Sequence, residues 1–268
     1  MRKGFAGSVY EFFLQGFLIL VFSAVPVLAD PAARPAAKPF PRTIAPGVRQ
    51  LGVIQNPEIT ESSGLAASQR HPGVFWTHND GRHKPVLYAI TRDGQSLGSF
   101  HVSGARMEDW EDIAGDNEGH LYLGDIGNND SLPRELGVFQ IDEPDPRSDA
   151  GKVKVNQRWI LRYPDAPFDC ESLFIWQEWG YVISKNHRNQ PATLYRFSLA
   201  KQDHPAVLEA VGKLPVYSAV TGSALTPDGS RLAVIANSAP FLFDIGGNPF
   251  TPAPANPSPT PLPGVQIR

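Results

Sequence analysis

The chain has almost no cysteine. Cys170 is the only one in 268 residues, so no internal disulfide can staple the fold. It also has no excess of basic residues: 24 Lys and Arg face 27 Asp and Glu, giving a formal charge of −3. No basic stripe appears anywhere, and nucleic acid is excluded as an expected partner. The seven histidines are scattered, with no HxxxH spacing and no Ser-His-Asp-type motif, so the common metal-His and nucleophile signatures are missing. Beyond the first thirty residues no amphipathic helix is legible. The nearest candidate, "DHPAVLEAVGKL" (203–214), reads equally well as an outer strand.

One apolar run exists, and it stands at the start. Arg2 and Lys3 precede "FFLQGFLILVFSAVPVLA", which ends in Val27-Leu28-Ala29 before Asp30. A positive start, an apolar stretch and small residues at its end describe a signal peptide over 1–29, cleaved after Ala29. As a membrane span, Phe12–Leu28 is barely long enough, and Gln15 and Pro26 interrupt it. No cysteine follows the cleavage site, so no lipid anchor is expected. A secreted or periplasmic protein without a stable membrane anchor is the expectation, with Cys170 as a buried, inert thiol.

The 26 prolines concentrate near the two ends. Residues 30–49 read as a Pro/Ala-rich linker and 249–268 as a Pro-rich tail. The folded part is expected over 50–248. Ten segments there are short, rich in β-branched and aromatic residues, and bounded by Gly, Asn, Asp and Pro; "GVFWTHN", "HLYLGDI" and "GYVISKN" are examples. The class is all-β.

A repeat decides between sandwich, barrel and propeller. "SSGLAAS", "WEDIAGD", "CESLFIW" and "TGSALTP" each begin an apolar segment, followed by a turn, a stronger strand, an Asn-bearing loop and an aromatic strand. Aligning Leu65, Ile113, Leu173 and Leu225 gives steps of 48, 60 and 52 residues. A period near fifty with four strands per unit predicts a β-propeller with four-stranded blades. In the first blade the strands are expected at 64–68, 74–78, 86–91 and 96–102. Four blades are visible, and a fifth inner strand would fall due beyond Arg268. The expectation is therefore about five blades in a parent protein, with this chain a fragment; closure of a four-bladed ring by 249–268 and the N-terminal segment is the alternative.

The densest acidic stretch, "MEDWEDIAG" (107–115), runs straight into one of these inner strands. Two positions before the aligned apolar residues stand Ser63, Glu111, Glu171 and Ser223. All four carry oxygen donors and would converge at the channel mouth, where a hard cation, calcium best, would offset the repulsion between the glutamates. Glu61 could also reach the channel in the first blade. Loops opening on the same face hold Asn79, Asp80, Asp125, Asn128, Lys185, Asn186, His187 and Asn237. Turn chemistry alone accounts for Asn128 and Asn237. Lys185, with Arg82 and His83 near acids and a cation, suits an anionic group such as phosphate. The residues expected to contact substrate are Asn79, Asp80, Asp125, Lys185, Asn186 and His187.

The order Ser, Glu, Glu, Ser along successive inner strands resembles the calcium-activated nucleotidase (apyrase) family. "ESSGL", "HLYLGDIGN" and "CESLFIW" are similar in placement to that family's segments, over about residues 58–240. The resemblance implies a five-bladed propeller with one channel calcium, ligated in the order Ser, Glu, Glu, Ser, Glu; the fifth ligand would fall beyond Arg268. In wording the chain looks closer to uncharacterised secreted bacterial propellers with "ESSGL…WTHND…DWEDIA…GDIGNN" patterns. Gluconolactonase-type lactonases and propeller phytases are more distant likenesses. Two expectations follow: a binding or scaffold module with a channel calcium, or a calcium-dependent hydrolase of a phosphorylated or lactone substrate. The expected partner is an anionic small molecule or an unidentified protein, and the expected state is a monomer.

Overall fold

The computed structural model describes residues 5–14, 17–26, 40–45, 48–81, 83–105, 107–186 and 190–246. These residues form strands and no helix. The N-terminal strands are β1 (Phe5–Leu14), β2 (Phe17–Pro26), β3 (Arg42–Ala45) and β4 (Val48–Val53), in the sheet order β2-β1-β4-β3. The linker expected over 30–49 therefore ends sooner. Val48 and Gln50 are buried in alternation with Arg49 and Leu51, and this period of two lets β4 join a ladder.

Four antiparallel meanders follow. The first blade holds β5 (Ser62–Ala67), β6 (Val74–Asn79), β7 (Val86–Thr91) and β8 (Ser96–Ser103). The second holds β9 (Trp110–Gly115), β10 (His120–Asp125), β11 (Leu136–Asp142) and β12 (Lys152–Arg162), and β12 also pairs in parallel with β8. The third holds β13 (Cys170–Trp176), β14 (Trp179–Ser184), β15 (Ala192–Ser198) and, as its outer strand, β17 (Glu209–Leu214); the two-residue β16 (Ala206–Val207) pairs with β12. The ambiguous stretch 203–214 thus holds strands at 206–207 and 209–214 and no helix. The fourth blade has β18 (Val220–Leu225), β19 (Arg231–Ala236) and β20 (Pro240–Asp244), three strands among the described residues.

The architecture is a β-propeller. The inner strands β5, β9, β13 and β18 are neighbours in that order, and β2 flanks β5 on its other side. The middle strands are buried on both faces because each blade is packed on two sides: β6 and β10 are buried almost throughout, whereas the outer β12 alternates exposed and half-buried residues over most of its length. The core is accordingly divided into layers between blades. Trp76, Phe100, Trp110 and Leu123 fill the first layer, Tyr122, Trp159, Leu173 and Phe197 the second, and Phe174, Tyr181, Val234 and Phe243 the third. In the first layer the Trp76 indole donates to Glu143 at 2.8 Å, and Ser68 bonds the same carboxylate.

Each inner strand carries an irregularity near its start. The ladder shifts between Ser63 and Ala66, around Glu111, between Cys170 and Leu173, and between Val220 and Gly222. A bulge adds one residue to one strand and re-aims its side chains. In the first blade it is made by Gly64, whose φ of 63° suits glycine; a Cβ there would meet the Ile113 amide of the neighbouring inner strand at 2.7 Å.

Candidate metal centre at the channel mouth

The bulges decide which side chains face the channel. Ser62, Trp110, Cys170 and Val220 each pair with the last residue of the second strand, namely Asn79, Asp125, Ser184 and Ala236. The next positions are equivalent by register: Ser63, Glu111, Glu171 and Thr221. Ser223 lies two residues further along β18. Alignment on Leu225 matches the apolar residue by sequence, but the ladder matches Ser223 to Leu65. The Ser223 hydroxyl accepts from Ser172 Oγ at 2.6 Å, and its backbone amide serves the Asp112 carboxyl group. Ser63 donates to the Glu111 carbonyl at 2.7 Å and ties the first two inner strands. All five of these residues line one cavity of about 460 Å³ that follows the channel.

At its far end the cavity is bounded by turns. Asn117, after β9, donates to the Pro227 carbonyl in the fourth blade at 2.9 Å. Arg70 of the first blade reaches the Glu118 carbonyl. The acids gather at the opposite end, where the inner strands begin. Carboxylate oxygens of Asp80, Asp109 and Glu111 lie within 4.8 Å of one another. Asp80 follows β6, and its amide donates to the Glu61 carbonyl at 2.7 Å. Asp109 is held through its amide, which donates to Asp125 Oδ1 at 2.7 Å. Gly127 closes over the pair: a Cβ there would overlap Glu111 Oε1 and Asp109 Oδ2.

Glu111 is only 2% exposed, and among the described residues no donor is hydrogen-bonded to its carboxyl group. Burial, followed by the charges of Asp80, Glu171, Asp109 and Asp169, pushes its pKa up to about 10. Burial, then Asp109, Glu171 and Glu61, pushes Asp80 up to about 6. These carboxyl groups repel one another in a space that water screens poorly.

Glu171 belongs to the same group through space, but it is in contact with Lys185, whose Nζ also lies 3.5 Å from Asp169 Oδ2. Asp169 accepts the Asn128 amide at 2.8 Å and the Cys170 amide at 2.9 Å. Arg134 lies on the other flank, 3.1 Å from Asp125 and 4.0 Å from Asp109, and donates to the Gly127 carbonyl.

The remaining expected contact residues divide clearly. Asn79 accepts the Thr60 and Glu61 amides and donates to the Glu58 carbonyl. Asp125, at the equivalent position, accepts the Glu108 and Asp109 amides. Both hold the segment that leads into an inner strand. Asn186 bonds the Pro191 carbonyl within its own loop. Asp80 and Lys185 alone of the expected contact residues bring charged groups to the acid cluster; His187, like Arg82, lies outside the described residues. His83 pairs with Glu61 at 2.7 Å. Cys170 is fully buried, and its thiol donates toward the Ile183 carbonyl; burial drives its pKa upward, so thiolate chemistry is disfavoured. Sequence reasoning passed over Asp109, Thr221 and Gly127 as site residues. The only available signal was the density of acids at 108–112, which does not say which of them turn inward.

No family model matches the chain, and no match is found among curated proteins. Among solved structures it is similar to hydrazine synthase of Kuenenia stuttgartiensis, with 13% identity, a TM-score of 0.43, and coverage of 73% of this chain and 55% of that one. It is also similar to the Pan2 WD40 domain of Neurospora crassa, with 10% identity, a TM-score of 0.38, and coverage of 77% and 58%. The chain thus spans just over half the length of each. The fold assignment rests on its own strand order.

Proposed function

We propose that this is an exported propeller that binds a divalent cation, calcium best, at its channel mouth, and serves as a ligand-binding or scaffold module. The observation that carries it is Glu111: a buried carboxyl group with no described protein donor, set against Asp80 and Asp109. Calcium–oxygen distances are about 2.3–2.6 Å, so two ligand atoms on one ion stand at most about 5 Å apart. The spread of 4.8 Å among these three groups fits that limit. Three carboxylates suit a hard cation, which removes the repulsion without protonation.

Asp80, Asp109 and Glu111 would hold the ion, with Ser63, Thr221, Ser223 and Glu171 along the same cavity. The similarity to calcium-activated nucleotidases supports a channel calcium, and the N-terminal pattern of 1–29 supports export. Lys185 and Arg134 are both already engaged by acids, which favours binding over turnover of an anionic substrate such as a phosphate ester or lactone. In a hydrolase the ion would act as a Lewis acid.

Calcium titration of the purified chain by calorimetry and thermal melting tests the proposal. A rise in Tm is expected, worth about 2.7 kcal/mol at a hundredfold excess over Kd. Chelation should reverse it, and Glu111→Gln or Gly127→Ala should abolish it. No binding up to millimolar calcium would overturn the cation site.

A further inference from the structure

We infer that Lys185 is a built-in counter-ion that competes with the channel cation for Glu171, so that the metal must displace its ammonium group to enter. This rests on the cation-binding reading above and adds a regulation of that same site.

Lys185 follows β14, and its amide donates to the Asp169 carbonyl at 2.8 Å. The start of its side chain is thereby fixed beside the residues that lead into β13. From there the nearly buried stem, 12% exposed, carries Nζ into contact with Glu171 and to 3.5 Å from Asp169 Oδ2. Glu171 in turn acts on both Glu111 and Asp80, and Asp169 acts on Glu111. Lys185 therefore lies against the same group of carboxylates that would receive the ion, on the side of the third blade.

Glu111 supplies the independent sign that this group awaits a cation, since it is buried without a described donor. Two cations cannot share these acids at full strength. A divalent ion among Asp80, Asp109 and Glu111 repels the ammonium, and it also reduces the negative potential that holds Lys185 in place. An ammonium on a flexible four-carbon stem can leave more easily than a backbone-anchored carboxylate. The alternative role for Lys185 is support, in which it orients Glu171 for the ion. The two roles predict opposite signs on removing the charge.

The test is calorimetric titration of the full chain with calcium chloride at low ionic strength, comparing wild type, Lys185→Met and Lys185→Arg. Competition predicts that Lys185→Met binds calcium about tenfold more tightly, while Lys185→Arg stays within about twofold of wild type. It also predicts a lower Tm for metal-free Lys185→Met and a wild-type Tm at saturating calcium. If Lys185→Met does not fold without metal, Lys185→Gln carries the same expectation, because it removes the charge and keeps a polar group beside Glu171. Equal or weaker calcium binding by the uncharged variants, with wild type binding normally, would overturn the competition and leave the cation site standing. No calcium binding by any form would remove both.

Discussion

The Asp112 carboxylate of the second inner strand accepts the Leu173 amide of the third at 2.7 Å, through the oxygen not used by its own neighbour Ile113. One buried side chain thus ties two blades beside the channel. Asp112→Asn would turn an NH₂ group toward one of these N–H donors. A buried donor left unsatisfied costs about 1–3 kcal/mol, so the urea midpoint should fall accordingly. A midpoint unchanged from wild type would show that the tie contributes nothing.

Cation binding should depend steeply on pH. Glu111, at about 10, and Asp80, at about 6, both stand above their ordinary values in the fold. The native chain therefore keeps protons that the unfolded chain loses. Metal-free stability should decline as pH rises from about 4 through about 6, and further toward about 10. Calcium replaces those protons, so the Tm gain should be small near pH 5 and large near pH 8. A gain independent of pH would mean that the ion binds elsewhere.

Export should change the N-terminal sheet. β1 pairs with β4 from Ser8 opposite Val53 to Phe12 opposite Val48. Cleavage after Ala29 removes β1 and β2 together and leaves β4 paired with β3 alone. N-terminal sequencing of the exported protein should read Asp30 first. Compared with the unprocessed chain, it should melt at a lower temperature and exchange its β4 amides faster. Equal melting and equal exchange would show that β4 gains nothing from the hairpin.

Much of the fold was legible from local rules. The turn residues and the repeat near fifty residues placed the first blade within two residues at each strand: Ser62–Ala67, Val74–Asn79, Val86–Thr91 and Ser96–Ser103. That success is local, because hairpin signals lie within a few residues of the strands they join. The linker was harder to bound. Proline recurs from Pro31 to Pro46, so the Pro46-Gly47 turn just before the alternation of β4 reads as one more part of the Pro/Ala-rich stretch.

The amino-acid sequence by itself determined the all-β class, the repeated meander and the arrival of acids at the start of an inner strand, since each follows from short-range periodicity and composition. Only the tertiary structure decided which acids meet. Each inner strand is bulged near its start, and counting from the bulge puts Thr221, two residues before Ser223, level with Glu111. Asp80 and Asp109 reach Glu111 from loops of different blades, and Lys185 reaches Glu171 from across its own blade. Such encounters depend on how the blades close around an axis, and no spacing along one chain encodes that distance.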